Sequence, residues 1–445
     1  MNSPHVDLLD ADHLPTTLPP GPRLPVVVQG LGFVAARRSM LAHLTRRHGR
    51  AFTIHIPLFG RVVILADPAL ARQLFTTSTE VVHNVHPHLG RILGTGSVFA
   101  LEGTDHRRRR KLLTPPLHGK RIKGYEAVVE AETLAEIRSW PAGRPLRTLE
   151  PMMRITLNVI LRTVFGAQDD DLDSLRTLIP PMVTAGSRLA TLPDLPVPLG
   201  PRDPRRRFDA YRTQYDSLIA GLITKTRNDS RLEERDDILA LMIASRYDHG
   251  TAMTDADIAD ELLTLLVAGH ETTATSLAWA FERISRHPAL LADLTAEAAT
   301  DDNDLRTATI LETQRARPVI DFAGRSVVAD MVELGPYRIP QGYNVLVAIS
   351  LLHDDSREFT DPERFDPSRF LGTKPGAAWL PFGGGTRRCI GAAFAHMEMD
   401  IVLRTVLRTV TIEATNAPAE RWHSRGVASA PGRGGRITVR RYASG

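Results

Sequence analysis

The stretch Phe382-Gly383-Gly384-Gly385-Thr386-Arg387-Arg388-Cys389-Ile390-Gly391 decides how this chain of 445 residues is read. Cys389 is its only cysteine. A lone cysteine is ordinarily an inert core residue, but three consecutive glycines admit backbone conformations and close approaches that side chains block. Apolar residues at helical spacing follow over residues 392–410. The sulfur is therefore predicted at a helix N-terminus, where the dipole and two arginines favour thiolate over thiol. A thiolate cradled by glycine suits either a nucleophile or a metal ligand, and no base lies nearby in the chain. A single cysteine also excludes an internal disulfide and a Cys-based zinc cluster, and fits a reducing compartment.

A second stretch works with the first. Thr254-Asp255-Ala256-Asp257 has the form of a helix cap, and Ile258, Leu262, Leu265, Leu266, Leu277 and Phe281 recur at helical spacing until Pro288. About 30 residues predict a helix of about 45 Å. Its middle, Ala268-Gly269-His270-Glu271-Thr272-Thr273, places glycine, titratable groups and hydroxyls where a helix gains least from them. Such a local violation marks a functional site. Around it the pattern is mainly helical from His106 to Leu311, with a β-hairpin about Gly60, strands over residues 327–348 and a proline-rich break at residues 192–204. The expected class is mainly α with small β-sheets (α+β). A polar tail over residues 1–17 is expected to precede one domain over residues 18–445.

Composition narrows the choice. Hydrophobic residues make up 42% and charged residues 24%, which excludes a disordered, fibrous or polytopic membrane protein. The net charge of +4, with only five lysines, does not point to nucleic acid. The basic run at residues 107–111 lacks interleaved aromatics and reads as a solvated helix face. No secretory signal or membrane anchor is evident, so a cytoplasmic protein is expected. Other motifs fail on spacing: His270-Glu271 lacks a second histidine at position 274, and Gly383–Thr386 lacks the Gly-Lys-Ser/Thr of a phosphate loop.

Phe382, Gly385, Arg387, Cys389 and Gly391 match the haem-binding signature of the cytochrome P-450 superfamily, Phe-x-x-Gly-x-Arg-x-Cys-x-Gly. The chain resembles that family in further elements: Ala268-Gly-x-Glu-Thr-Thr273 on the long helix, Glu312-x-x-Arg315, Pro367-x-Arg369-Phe370, and His106-x-x-x-Arg110. The order and spacing fit from about residue 18 onward, and the wording of several stretches is similar to soluble actinobacterial, particularly mycobacterial, members.

The resemblance implies the family's fold, with the long central helix over haem b (iron protoporphyrin IX), and Cys389 as axial ligand to the iron. It implies His106, Arg110, Arg325 and Arg387 as partners of the haem propionates, and Ala268, Gly269, Phe382, Gly383 and Gly391 as further cofactor contacts. Glu271 and Thr272 become the catalytic pair for proton delivery, with Gly269 letting oxygen approach. Glu312 and Arg315, whose spacing alone fits an ordinary surface pair, become a buried structural triad with Arg369, for which Arg364 is a rival. The implied reaction is insertion of one atom of O2 into a lipophilic small molecule. The cavity walls would come from residues 82–99, 179–199, 262–272 and 319–323. The haem domain accounts for the length, so electrons are expected from a separate ferredoxin and ferredoxin reductase, or a flavin protein, docking on a basic patch of Arg387, Arg388 and residues 107–110. Two rival readings are a haem-thiolate peroxygenase or isomerase that does not use O2, and a non-enzymatic haem- or lipophile-binding protein.

Overall fold

The computed structural model describes residues 17–442, apart from 58, 86, 167–168, 191–199 and 201–202. The expected N-terminal tail and the proline-rich break at 192–204 lie mostly outside the described residues. The rest is mostly helical with small sheets.

The central helix runs unbroken from Asp255 to Ile284, 30 residues, and Thr254 caps it by accepting the Asp257 N–H at its hydroxyl. The Asp257 carboxylate does not turn back to complete a capping box; it lies 3.2 Å from Arg109. Helices Leu149–Phe165, Asp304–Ala316 and Ala392–Thr409 pack around this rod. Its leucines and Phe281 therefore disappear into the main hydrophobic core with Met152, Ile155, Ile160 and Val402. Such all-round burial explains why its sequence is apolar on several faces instead of along one stripe. Gly269 has a packing role here: a Cβ at this position would stand 2.9 Å from Ile160 Cδ1. This packing stands beside the role in admitting oxygen that the family resemblance implies for Gly269.

The main sheet has five strands. Ala51–Ile56 pairs antiparallel with Gly60–Leu65 across a turn that places Ile56 opposite Gly60. Gly60–Leu65 runs parallel to Asn344–Ala348, which pairs antiparallel with Phe322–Val327. Val82–Asn84 closes the edge and sets Asn84 opposite Arg325. Two apolar clusters cover this sheet, one built on Val63, Leu65, Val345 and Val347 and the other on Phe52, Ile54 and Ile64. The alternation along these strands is what separates the two clusters.

Candidate active site

The signature loop closes on itself, with Cys389 donating its backbone N–H to Phe382 O at 3.0 Å. Gly385 has φ +66°, and a Cβ there would stand 1.9 Å from the carbonyl oxygen of Phe75. Only glycine lets this loop lie against helix Pro68–Thr76. Gly391 is the N-cap of helix Ala392–Thr409, so Cys389 stands two residues ahead of the cap. The Cys389 side chain is solvent-accessible yet surrounded by protein, as a group lining an internal space must be. That enclosure works against the expected thiolate while the loop and its arginines favour it. Burial pushes the free thiol up, against the opposing pull of the Gly391 N–H, Arg110 and Arg388. A bound metal cation would deprotonate it outright.

The central helix offers a matching window. Ala268 is exposed, and Gly269 and Thr272 are half-buried, although the helix on either side of them is largely buried. The Thr272 hydroxyl donates to Ala268 O at 2.6 Å, the back-bond typical of helical threonines. Its proton is thereby committed, and what it presents outward is an acceptor. Glu271 is buried on another side of the helix and accepts from Arg425 Nε at 2.8 Å. Arg425 also lines a partly open cavity of about 410 Å³ with Arg147, His423, Arg433 and Arg436.

Cations converge beside the loop. His106 is buried and its Nδ1 has no hydrogen-bond partner. Burial, reinforced by Arg387, Arg110 and Arg325, holds its pKa down at about 3, so the ring is neutral. Arg325 is buried too, and burial and Arg387 lower its pKa to about 10. Its guanidinium donates to Gly324 O at 2.7 Å and Gly384 O at 3.3 Å, and no carboxylate pairs with it among the described residues. Arg387 donates to Leu101 O at 2.6 Å and pairs with Glu102. Arg110 donates to Arg388 O at 2.5 Å. Three arginines and an unpartnered imidazole against one carboxylate suit an anionic ligand. One accessible sulfur, these cations and the small residues Ala268 and Gly269 together fit iron protoporphyrin, whose carboxylates need such partners.

Behind the loop, Glu312 and Arg315 are both completely buried and joined at 2.7 and 2.8 Å. Arg315 also donates to the carbonyls of His353 and Pro362. Arg369 Nε lies 3.7 Å from Glu312, whereas Arg364 is exposed and stands 3.7 Å from Asp366. The geometry brings Arg369 to the pair and leaves Arg364 outside.

Several groups escaped the sequence reading. Arg109 is buried, not solvated; it lies 2.9 Å from Glu261 and donates to Tyr247 Oη at 2.9 Å, which removes it from the expected docking patch. His353 is buried between two backbones. With Nδ1 donating to Arg315 O at 3.0 Å, its Nε2 accepts the Leu380 N–H at 3.0 Å. Burial lowers its pKa to about 3. Arg425 and Glu102 carried no spacing signal, since their partners lie 154 and 285 residues away.

A helical body with a glycine-lined cysteine loop leading into a helix packed on the central helix, whose middle exposes Ala268, has the makings of a haem-thiolate architecture. The cytochrome P450 family profile matches residues 18–433. Cytochrome P450 138 of Mycobacterium tuberculosis is 55% identical over 425 residues, covering 95% of this chain and 96% of that one. Cytochrome P450 135B1 of the same organism is 38% identical over 436 residues, 95% of this chain and 91% of that one. Two solved structures share the fold. The retinoic acid-bound cyanobacterial CYP120A1 has a TM-score of 0.83 at 21% identity, covering 96% of this chain and 100% of that one. The cytochrome P450DA heme domain has a TM-score of 0.85 at 22% identity, covering 96% and 98%. The chain belongs to the cytochrome P450 family, whose members bind haem and act as oxidoreductases of the monooxygenase type. No described helix is long and apolar enough to cross a membrane.

Proposed function

We propose that the protein is a cytoplasmic haem b-dependent monooxygenase that inserts one atom of O2 into a lipophilic small molecule, with electrons from a separate redox protein. The observation that carries this reading is Thr272 at the mid-helix window, next in the chain to Glu271, which is buried on another side of the helix and tied to Arg425 at 2.8 Å. Bound haem supplies the activation of O2. Cys389 holds the iron, and Phe382, Gly383 and Gly391 shape the loop around the sulfur. His106, Arg110, Arg325 and Arg387 take the propionates, while Ala268 and Gly269 form the opposing wall. Thr272, its proton already given to Ala268 O, accepts from a water and holds it at the window. Glu271 hands protons inward from the cavity at Arg425. Glu312, Arg315 and Arg369 keep the loop's support in place.

Exposed Arg107, Arg108 and Arg388 suit an acidic ferredoxin served by its reductase; a flavin protein is the other donor of this kind. Apolar residues of segments 82–99, 262–272 and 319–323 favour a lipophilic substrate. The described part of segment 179–199 belongs with them. The test is the carbon-monoxide spectrum of the reduced, haem-loaded protein, followed by turnover with a ferredoxin chain or with peroxide alone. A red-shifted Soret band and product formed only with the chain and O2 are expected. An unshifted band would remove Cys389 as ligand, and turnover with peroxide alone would make the enzyme a peroxygenase.

A further inference from the structure

Helix Val26–Ala35, VVVQGLGFVA, is folded inside out. Its one polar side chain, Gln29, is only 6% exposed; it donates to Leu24 O and accepts the His55 N–H, both at 2.8 Å. Gly30 is pressed so closely on the adjoining hairpin turn that a Cβ would stand 2.4 Å from Pro57 Cδ. Val27, Leu31 and Val34, spaced i, i+4, i+7, point the other way and are 65%, 65% and 84% exposed. Leu24 and Val28 widen this face, and Phe59, in the hairpin turn whose Pro57 meets Gly30, is exposed too. Scattered apolar residues on a surface need no account, but a whole helical stripe turned to solvent does.

The surrounding charge is one-sided. Between Asp12 and Asp67 the chain contains no carboxylate side chain, yet it carries seven arginines. Arg37 and Arg38 are spent on Asp321, and Arg50 on Asp355 and Glu358. Arg23, Arg46, Arg47 and Arg61 are exposed and have no carboxylate partner among the described residues. Two copies of this face would oppose arginine to arginine, with no acidic side chain in the segment to offset the repulsion. An apolar stripe bordered by unpaired arginines suits an anionic bilayer surface, where the stripe enters the acyl boundary and guanidinium groups meet lipid phosphates. Ten residues span about 15 Å, too short to cross and long enough to lie flat.

We propose that this helix and the Phe59 turn form a reversible docking face for anionic lipid membranes, separate from the haem site. The test is flotation of the full-length protein with phosphatidylcholine vesicles, with and without phosphatidylglycerol. Binding to the anionic vesicles only, weakened by salt, is expected. Leu31→Asp and Val34→Asp should each lower the partition coefficient by about tenfold or more, because each exchanges apolar burial for charge beside anionic lipid. Both positions are exposed, so an unchanged circular-dichroism melt is expected and shows that the fold is retained. Absence of flotation, or flotation indifferent to both substitutions, overturns the proposal. So does a concentration-dependent dimer that Leu31→Asp abolishes, which makes a second copy the occupant. Flotation seen only after deletion of residues 1–16 would assign the face to the chain's own acidic N-terminal segment.

Discussion

Glu312→Gln tests how much of the loop's support rests on one buried charge. The substitution keeps the shape and the Oε1 acceptor that receives the Asp366 N–H at 2.9 Å, but removes the charge facing Arg315. Arg315 is completely buried, so its guanidinium loses its counter-charge with no water to replace it. Breaking such a pair costs about 3–5 kcal/mol. At about 2.1 cal/mol/K per residue, the 445 residues unfold with an entropy of about 0.9 kcal/mol/K, so a 4 kcal/mol loss lowers the midpoint by about 4 °C. The control is Glu136→Gln, which breaks a pair to the exposed Arg154; a surface pair contributes about 1 kcal/mol or less, so its midpoint should fall by about 1 °C at most. Scanning calorimetry on both variants reads the difference. Replacing both partners, Glu312→Leu with Arg315→Met, should recover part of the loss. If Glu312→Gln melts within a degree of the parent, the pair behaves as a surface salt bridge and the reasoning fails.

Thr272→Ala should keep its absorption spectrum and substrate binding, while reducing equivalents leak to hydrogen peroxide; unchanged product per NAD(P)H consumed would move the role elsewhere. Gly385→Ala, which puts a Cβ onto Phe75 O at a φ of +66°, should lower haem content and shift the melt downward, and wild-type haem content would contradict the packing account. His353 has a folded pKa of about 3, depressed below its unfolded value of 6.5, so its contribution is complete above pH 6.5 and is lost as pH falls toward 3. For one proton the slope is about 1.4 kcal/mol per pH unit. His353→Phe should be less stable at pH 7 and show a flatter acid limb in urea titrations at successive pH values; a parallel limb would exclude His353.

The parts of the site legible in the sequence are those held by local spacing. Thr254 and the leucines after it mark out the 30-residue rod, and the ten residues ending at Gly391 mark out the loop, because cap, period and turn chemistry act over a few residues. Glu312 and Arg315 are legible as a pair for the same reason, though not as a buried one. Pairings made by the tertiary fold left no such trace. Arg109 looks like its neighbours Arg107 and Arg108 until the central helix brings Glu261 beside it. Arg425 reaches Glu271 from a C-terminal hairpin, and nothing in the wording of residues 422–431 announces it. Thr272 and Gly269 stand out in the sequence as residues from which a helix gains little, and the local features at them are a backbone acceptor and a crowded helix crossing.

The cluster beside Cys389 is made of arginine where lysine would also have supplied charge, and its one titratable member is held near pKa 3. Arg325, even after burial, stays protonated to about pH 10. Across the physiological range the charge that Arg325 presents to the loop is therefore constant. A rise in pH within that range cannot loosen a carboxylate held there by discharging this arginine; movement of the strand that carries it can.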